Sequence, residues 1–179
     1  LQAKSARFSI AEFIASIADS SFSLNHLKLS ITSPSQSVKA DLRFKNIKSW
    51  PVSPFSPGVM GPFRFVPFME CYHGVLSFDH TIEGFITVNG ETVDMTGGKG
   101  YIEKDWGISM PSSWIWMQTN HFDEDAVSLF GSVAKIPWLG HAFPGFIFGL
   151  FHKGKTYRFA TYTGAKISYL SVTEQHITI

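Results

Sequence analysis

Short runs in which apolar and polar residues alternate dominate this chain, and a period of two is the signature of half-buried β-strands. Residues 24–31 and 38–44 form one such pair, divided by the turn-forming stretch Thr32-Ser33-Pro34-Ser35, which predicts antiparallel neighbours. Ile82, Gly84, Ile86 and Val88 alternate with Glu83, Phe85 and Thr87, and Asn89-Gly90 then supplies a type I′ hairpin turn before residues 91–95. Further strands are predicted over residues 114–122, 126–136, 146–152 and 156–163, with Lys153-Gly154 turning between the last two. Repeated strands joined by short turns point to a meander or a closed barrel, because closure removes exposed edges.

Two segments depart from this pattern. Residues 4–18 place Ile10, Phe13, Ile14 and Ile17 on one helical face, yet Phe8-Ser9-Ile10 also reads as the start of a strand, and both readings stay open. Residues 51–68 hold Pro51, Pro54, Pro57, Pro62 and Pro67 among Phe55, Phe63, Phe65 and Phe68, which excludes an interior strand. That segment reads as a long aromatic loop, expected at the mouth of a cavity.

Composition narrows the classes. The 179 residues fit a single β-rich region, and only 16% are charged while 15% are aromatic, with Phe alone occurring 17 times. Apolar contact surface in such excess suggests that the chain encloses a hydrophobic small molecule. A net charge of +1 without a basic run excludes a nucleic-acid partner. Cys71 is the sole cysteine, so no disulfide framework is possible. The greasiest stretch, residues 136–151, is interrupted by Pro137, Gly140, Pro144, Gly145 and Gly149, which disfavours a spanning helix. The expected location is cytoplasmic or in peripheral contact with a membrane. Because the sequence opens on Leu1 and stops inside an apparent strand, it reads as the central fragment of a longer protein; it carries no signal of oligomeric state.

The densest mixture of polar and aromatic residues lies between Gly97 and Phe122. On a strand, Trp114, Trp116, Gln118, Asn120 and Phe122 project to one side and Ile115, Met117, Thr119 and His121 to the other. The first set offers aromatic walls and amide hydrogen-bonders, suited to a ligand with an apolar tail and a polar head; the plainer alternative is that the indoles fill a core. Upstream, Tyr101, Glu103 and Asp105 share one face and Ile102, Lys104 and Trp106 the other. The three polar groups make either a solvated face or a carboxyl held inside an apolar barrel, where desolvation raises its pKa and keeps a proton available beside an indole. The seven histidines lack ligand spacing, so no metal site is expected; Cys71 and His73 share a strand face, with a buried structural Cys as the commoner outcome. Neither a nucleophile elbow nor a phosphate-binding loop is present, which removes support for hydrolase and nucleotide-binding readings.

Four stretches, Phe65-Val-Pro-Phe-Met-Glu-Cys-Tyr-His-Gly74, Gly98-Lys-Gly-Tyr-Ile-Glu-Lys-Asp-Trp-Gly107, Trp114-Ile-Trp-Met-Gln-Thr-Asn-His-Phe122 and Phe159-Ala-Thr-Tyr-Thr-Gly164, resemble the bacterial branch of the tocopherol cyclase family. The resemblance runs from about residue 22 to the end and implies an all-β fold, a lipocalin-like antiparallel β-barrel, with this chain as a fragment of a longer two-barrel protein. Plant members of that family close a prenylated hydroquinone to a chromanol without a cofactor, and the family is distantly similar to carotenoid 1,2-hydratases. Both chemistries begin with protonation of a trisubstituted alkene, and an oxygen then captures the tertiary cation. The resemblance therefore implies a prenylated quinol or other isoprenoid as ligand, no cofactor, Glu103 or Asp105 as proton donor, and Trp106, Trp114 and Trp116 around the cation. Gln118 and Asn120 would hold the ring hydroxyls, with Tyr101 alongside. The alternatives are a non-enzymatic lipid or isoprenoid carrier, with both carboxyls in water, and a hydratase with an ordered water at the alkene.

Overall fold

The computed structural model describes residues 14–67, 69–138 and 140–179. The described part of residues 4–18 settles on strand at residues 14–17; Ile10 and Phe13 lie outside the described residues. The fold is all-β and its strand pairs are antiparallel, and among the described residues no sheet closes into a barrel. No helix of the described residues is long and apolar enough to cross a membrane. The chain divides into two compact units, residues 1–49 with 75–103 and residues 50–74 with 104–179.

The first unit is built from β1 (Ile14–Ile17), β2 (Ser20–Ser23), β3 (His26–Thr32) and β4 (Ser37–Lys48), continued by most of β5 (Cys71–Val88), by β6 (Glu91–Asp94) and by the first part of β7 (Lys99–Gly107). Strands β1 to β6 pair in sequence order, and β7 pairs with β5 as well. The predicted β3–β4 pair is present with Ile31 opposite Val38. The Asn89-Gly90 turn is present too: both residues have positive φ, 51° and 92°, as a type I′ turn requires, and Val88 faces Glu91. Alternation on β4 sends Ala40, Leu42 and Phe44 into a core shared with Ile82 and Ile102, while Lys39, Asp41, Arg43 and Lys45 stay exposed. Gly84 sits opposite Leu42 with φ 126°, and a Cβ there would lie 2.0 Å from the Asp41 carbonyl oxygen, so only glycine permits the strands to approach at that point.

The second unit holds a four-stranded meander of β8 (Trp114–Thr119), β9 (Val127–Trp138), β10 (His141–His152) and β11 (Lys155–Ala160), in the order β11-β10-β9-β8. Three of the four strands were predicted within a few residues of their observed bounds. β10 begins five residues earlier than the predicted 146, because Pro144 and Gly145 pair with Lys135 and Ala134 instead of breaking the ladder. Val127, Phe130, Val133, Phe146, Phe151 and Ala160 are its buried apolar side chains, with Ser128 buried beside them. A 3-10 turn at Thr161–Thr163 follows β11, and β12 (Ser171–Val172) and β13 (Ile177–Thr178) make a short final hairpin. The Pro- and Phe-rich segment is irregular as expected, with a single 3-10 turn at Gly61–Phe65 and a small bridge between Ser53 and Ser56.

Candidate functional site

Within the second unit, the two ends Cys71 to Gly74 of β5 and Lys104 to Gly107 of β7 carry different chemistry on their opposite faces. Period-two alternation puts His73 on one face and Tyr72 on the other, and likewise separates Asp105 from Trp106. On the first face the His73 Nδ1 is hydrogen-bonded to the Asp105 carboxylate. On the second, Tyr72 and Trp106 stack with ring centroids 5.6 Å apart, and the Arg64 guanidinium and Lys104 ammonium lie 5.2 and 5.0 Å from the indole. Two cations on one indole are a cation–π arrangement that fastens the loop bearing Arg64.

One backbone contact and two ring contacts hold His73 in place. Its backbone N–H donates to Met60 Sδ at 3.1 Å, its Nδ1 meets Asp105, and its ring stacks on Phe130 at 5.0 Å with an interplanar angle of 24°. Phe130 is fully buried, so the platform under the imidazole cannot shift without moving the core of the meander. The His73 and Asp105 side chains keep 15% and 35% of their surface exposed, enough for a ligand to reach the pair.

Phe130 also connects this pair to β8. Its cross-strand partner is Gln118; Trp116 faces Ser132 and Trp114 faces Ala134, so Trp114, Trp116, Gln118 and Phe130 share one face of the meander. The face is graded, apolar and open at Trp114 and Trp116, which are 53% and 44% exposed, and polar at Gln118 and the imidazole–carboxylate pair. The indoles thus form an open wall and neither is enclosed by the described residues. The Gln118 Nε2 is inaccessible to water and has no hydrogen-bond partner among the described residues.

The remaining predicted site residues fall elsewhere. β8 ends at Thr119, so Asn120 lies beyond the strand, and it is buried at 4% exposure. Trp106 is on the face of β7 opposite Asp105, engaged by Tyr72 and the two cations. Glu103 and Tyr101 share the Asp105 face of the same strand but belong to the first unit, where the Tyr101 hydroxyl donates to Glu103 Oε2 at 2.5 Å. His73 and Asp105 are of the residue types that hold divalent cations, and both can act as proton donors and acceptors.

His73 is the participant that the sequence marked least. Its alternation with Cys71 was visible, but its partner Asp105 lies 32 residues away, on β7 beyond the Asn89-Gly90 hairpin. The 51–68 loop, expected at a cavity mouth, is tied down through its carbonyls: Tyr72 Oη donates to Val66 O and Tyr162 Oη to Val59 O, each at 2.7 Å. Phe55 and Phe65 on that loop are 85% and 63% exposed.

Comparison with known proteins adds an independent line. A family model described as tocopherol cyclase-like matches residues 8–170. A probable chloroplastic tocopherol cyclase of Oryza sativa subsp. japonica is 33% identical over 104 residues, covering 55% of this chain and 22% of that protein. The chloroplastic tocopherol cyclase of Zea mays is 30% identical over 104 residues, with the same shares. The match thus spans well under two thirds of either relative. No solved structure matches this chain.

Proposed function

The chain belongs to the tocopherol cyclase-like family, and we propose that it carries the proton-donating site of an enzyme that closes a prenylated quinol to a chromanol. The observation that carries this reading is the His73–Asp105 pair, set on Phe130 at the polar end of the face that bears Gln118, Trp116 and Trp114. A carboxyl bonded to an imidazole has a relay for its proton, which a general acid needs if it is to be recharged after each turnover. Glu103 is the competing donor, but its carboxylate is already engaged as the acceptor of the Tyr101 hydroxyl.

In the proposed cycle the proton shared by His73 and Asp105 passes to the less substituted carbon of the alkene. The tertiary cation forms beside the open faces of Trp114 and Trp116, whose π-clouds stabilise positive charge. The phenol oxygen, held by Gln118, adds to the cation, and its proton returns to the pair. Substrate and product are isomers, so the cycle consumes no cofactor. Trp106, already covered by Arg64 and Lys104, is left out of the cation wall.

The test uses the full-length protein and a prenylated quinol, with products identified by mass. Asp105→Asn and His73→Gln should each lower turnover by about 100-fold or more while ligand binding persists, and Glu103→Gln should lose less. Turnover should withstand EDTA. A product heavier by one water would assign a hydratase instead. A carrier would use the same Trp114–Trp116 wall, which is open to solvent; normal lipid binding with no product from the unaltered protein would favour it and sink the cyclase reading.

A further inference from the structure

Charge is spread unevenly along the second unit. At one end of the meander, the β8–β9 loop and the β10–β11 turn region carry Asp123, Glu124, Asp125, Lys153 and Lys155, all exposed. Glu124 there bridges His152 and Lys153, each at 3.1 Å. Three segments gather at the other end. β8 reaches β9 only as far as Ala134 and β11 reaches β10 only from Ile147, so residues 136–138 and 141–145 stand beyond their neighbours as a two-stranded ribbon. Residues 108–113 lie beside its base, where the Ser113 carbonyl accepts from the Lys135 N–H at 3.0 Å. The Pro- and Phe-rich loop joins them through Tyr162, which bonds Val59 O and meets the Phe63 ring edge-on; the neighbouring Thr161 Oγ1 accepts the Phe146 N–H at 2.9 Å.

Residues 50–63, 107–122 and 136–151 contain no Asp, Glu, Lys or Arg. Large apolar side chains nevertheless face water there: Ile108 is 88% exposed, and Phe55, Phe65, Met110 and Trp114 are each more than half exposed. Such side chains project from loops instead of forming a flat face, and exposed apolar surface on this scale marks an interaction site. We infer that this end of the second unit docks on a lipid bilayer, with Ile108, Phe55 and the 136–145 ribbon seated at the boundary of headgroups and acyl chains. The segregation of charge favours lipid over protein as the partner, because an interface between water and hydrocarbon accepts a body that is ionised at one end and uncharged at the other. Arg64 and Lys135, exposed at the margins of the uncharged segments, are placed to meet lipid phosphates. Strand addition by a second copy is opposed by Pro137 and Pro144, which deny the ribbon's edges donors that a further strand would need. The Trp114 end of the graded face then opens toward the lipid, the phase in which a prenylated molecule dissolves.

The experiment sediments full-length protein with phosphatidylcholine vesicles that contain no quinol, so the readout is independent of any reaction at His73 and Asp105. The protein should partition into the pellet and stay there in high salt, because apolar insertion is not screened. Replacing Ile108 and Phe55 together by serine should lower the partition coefficient by at least about tenfold. Ala142→Asp, which puts a carboxylate on an exposed position of the ribbon, should lower it by a similar factor. Tyr157→Ser, at a 44% exposed position toward the charged end, should leave it unchanged. All these positions are exposed, so the thermal midpoints without vesicles should match that of the unaltered protein. Protein that remains in the supernatant overturns the inference, as does release by salt, or a loss in Tyr157→Ser equal to that in the serine pair. A dimer in vesicle-free solution that the serine pair splits would give this end to a second copy and overturn it as well.

Discussion

In the first unit the side chains of β4 alternate without exception from Ala40 to Phe44, apolar ones buried and charged ones in water, and they make an apolar core with Ile82 and Ile102, beside which the buried His80 ring packs on Phe44 with its Nδ1 hydrogen-bonded to Ser77. The second unit breaks these habits on one sheet face. Two indoles stand open to solvent at one end of β8, the amide nitrogen of Gln118 is shut off from water with no hydrogen-bond partner among the described residues, and an imidazole and a carboxylate pair above a buried phenylalanine. Local rules are obeyed where a sheet only has to be stable, and they fail together on the face proposed as the ligand site. The two units should accordingly respond to mutation in different currencies, the first in stability and the second in binding and turnover.

The largest effect is expected in the core of the first unit. Phe44→Ala removes a side chain that is 8% exposed and packs against the His80 ring at 4.6 Å. It should cost about 3–5 kcal/mol in chemical denaturation. A loss below that of an exposed residue would show that this sheet does not hold the unit together. Gly84→Ala should follow at about 2–4 kcal/mol, since the new Cβ meets a backbone carbonyl and the φ of 126° strains any side chain.

Those two positions also show what the sequence could tell. The β3–β4 and β5–β6 hairpins were legible because alternation and the Asn89-Gly90 turn act over neighbouring residues, and Gly84 could be seen as part of a strand pattern. The Trp114–Gln118 stripe was legible for the same reason. The early start of β10 was hidden because Pro144 and Gly145 read as breakers when only local preference is considered. The place of Asn120 was missed because β8 stops at Thr119, and a strand's end depends on its partner's register. Pairing between His73 and Asp105, the platform role of Phe130 and the capping of Trp106 by Arg64 are long-range facts, set by packing that no spacing in the chain encodes.

The units should also differ in their response to pH. In the first, His80 is 3% exposed with Nδ1 3.0 Å from Ser77 Oγ, and burial holds its pKa below the usual value of 6.5, a fall only partly offset by Asp79. The folded state therefore binds fewer protons than the unfolded state as acid is added, so the stability contribution is present above about pH 6.5 and lost as pH falls below it. In the second, burial raises the Tyr162 hydroxyl above its usual 10, with Arg158 opposing, and that contribution is present below about pH 10 and lost as pH rises beyond it. Denaturation of the full-length protein across pH should show both slopes. His80→Phe should flatten only the acid side; Tyr162→Phe should flatten only the alkaline side, at a cost of about 1 kcal/mol for the lost bond to Val59. If either variant flattened the other side, the assignment of that slope would be wrong.

The smallest expected change in stability is the one most informative about the second unit. Trp114 is 53% exposed at the open end of its sheet face, opposite the small side chain of Ala134, so truncating it leaves no cavity and uncovers little core. Trp114→Ala should therefore shift stability by no more than about 0.5 kcal/mol, as surface substitutions do. An indole kept only for packing would contribute little else. If it forms the wall for a prenyl tail, the same variant should weaken prenylated-quinol binding by roughly tenfold, because an aromatic face of that size is then lost from the covered ligand surface. Trp114→Phe should recover most of that loss, as it restores an aromatic face at the same position. Measured together by denaturation and fluorescence quenching, a large stability loss with unchanged binding would turn the comparison around: the open wall of the second unit would be ordinary core awaiting the rest of the protein, and the graded face would not be a ligand site.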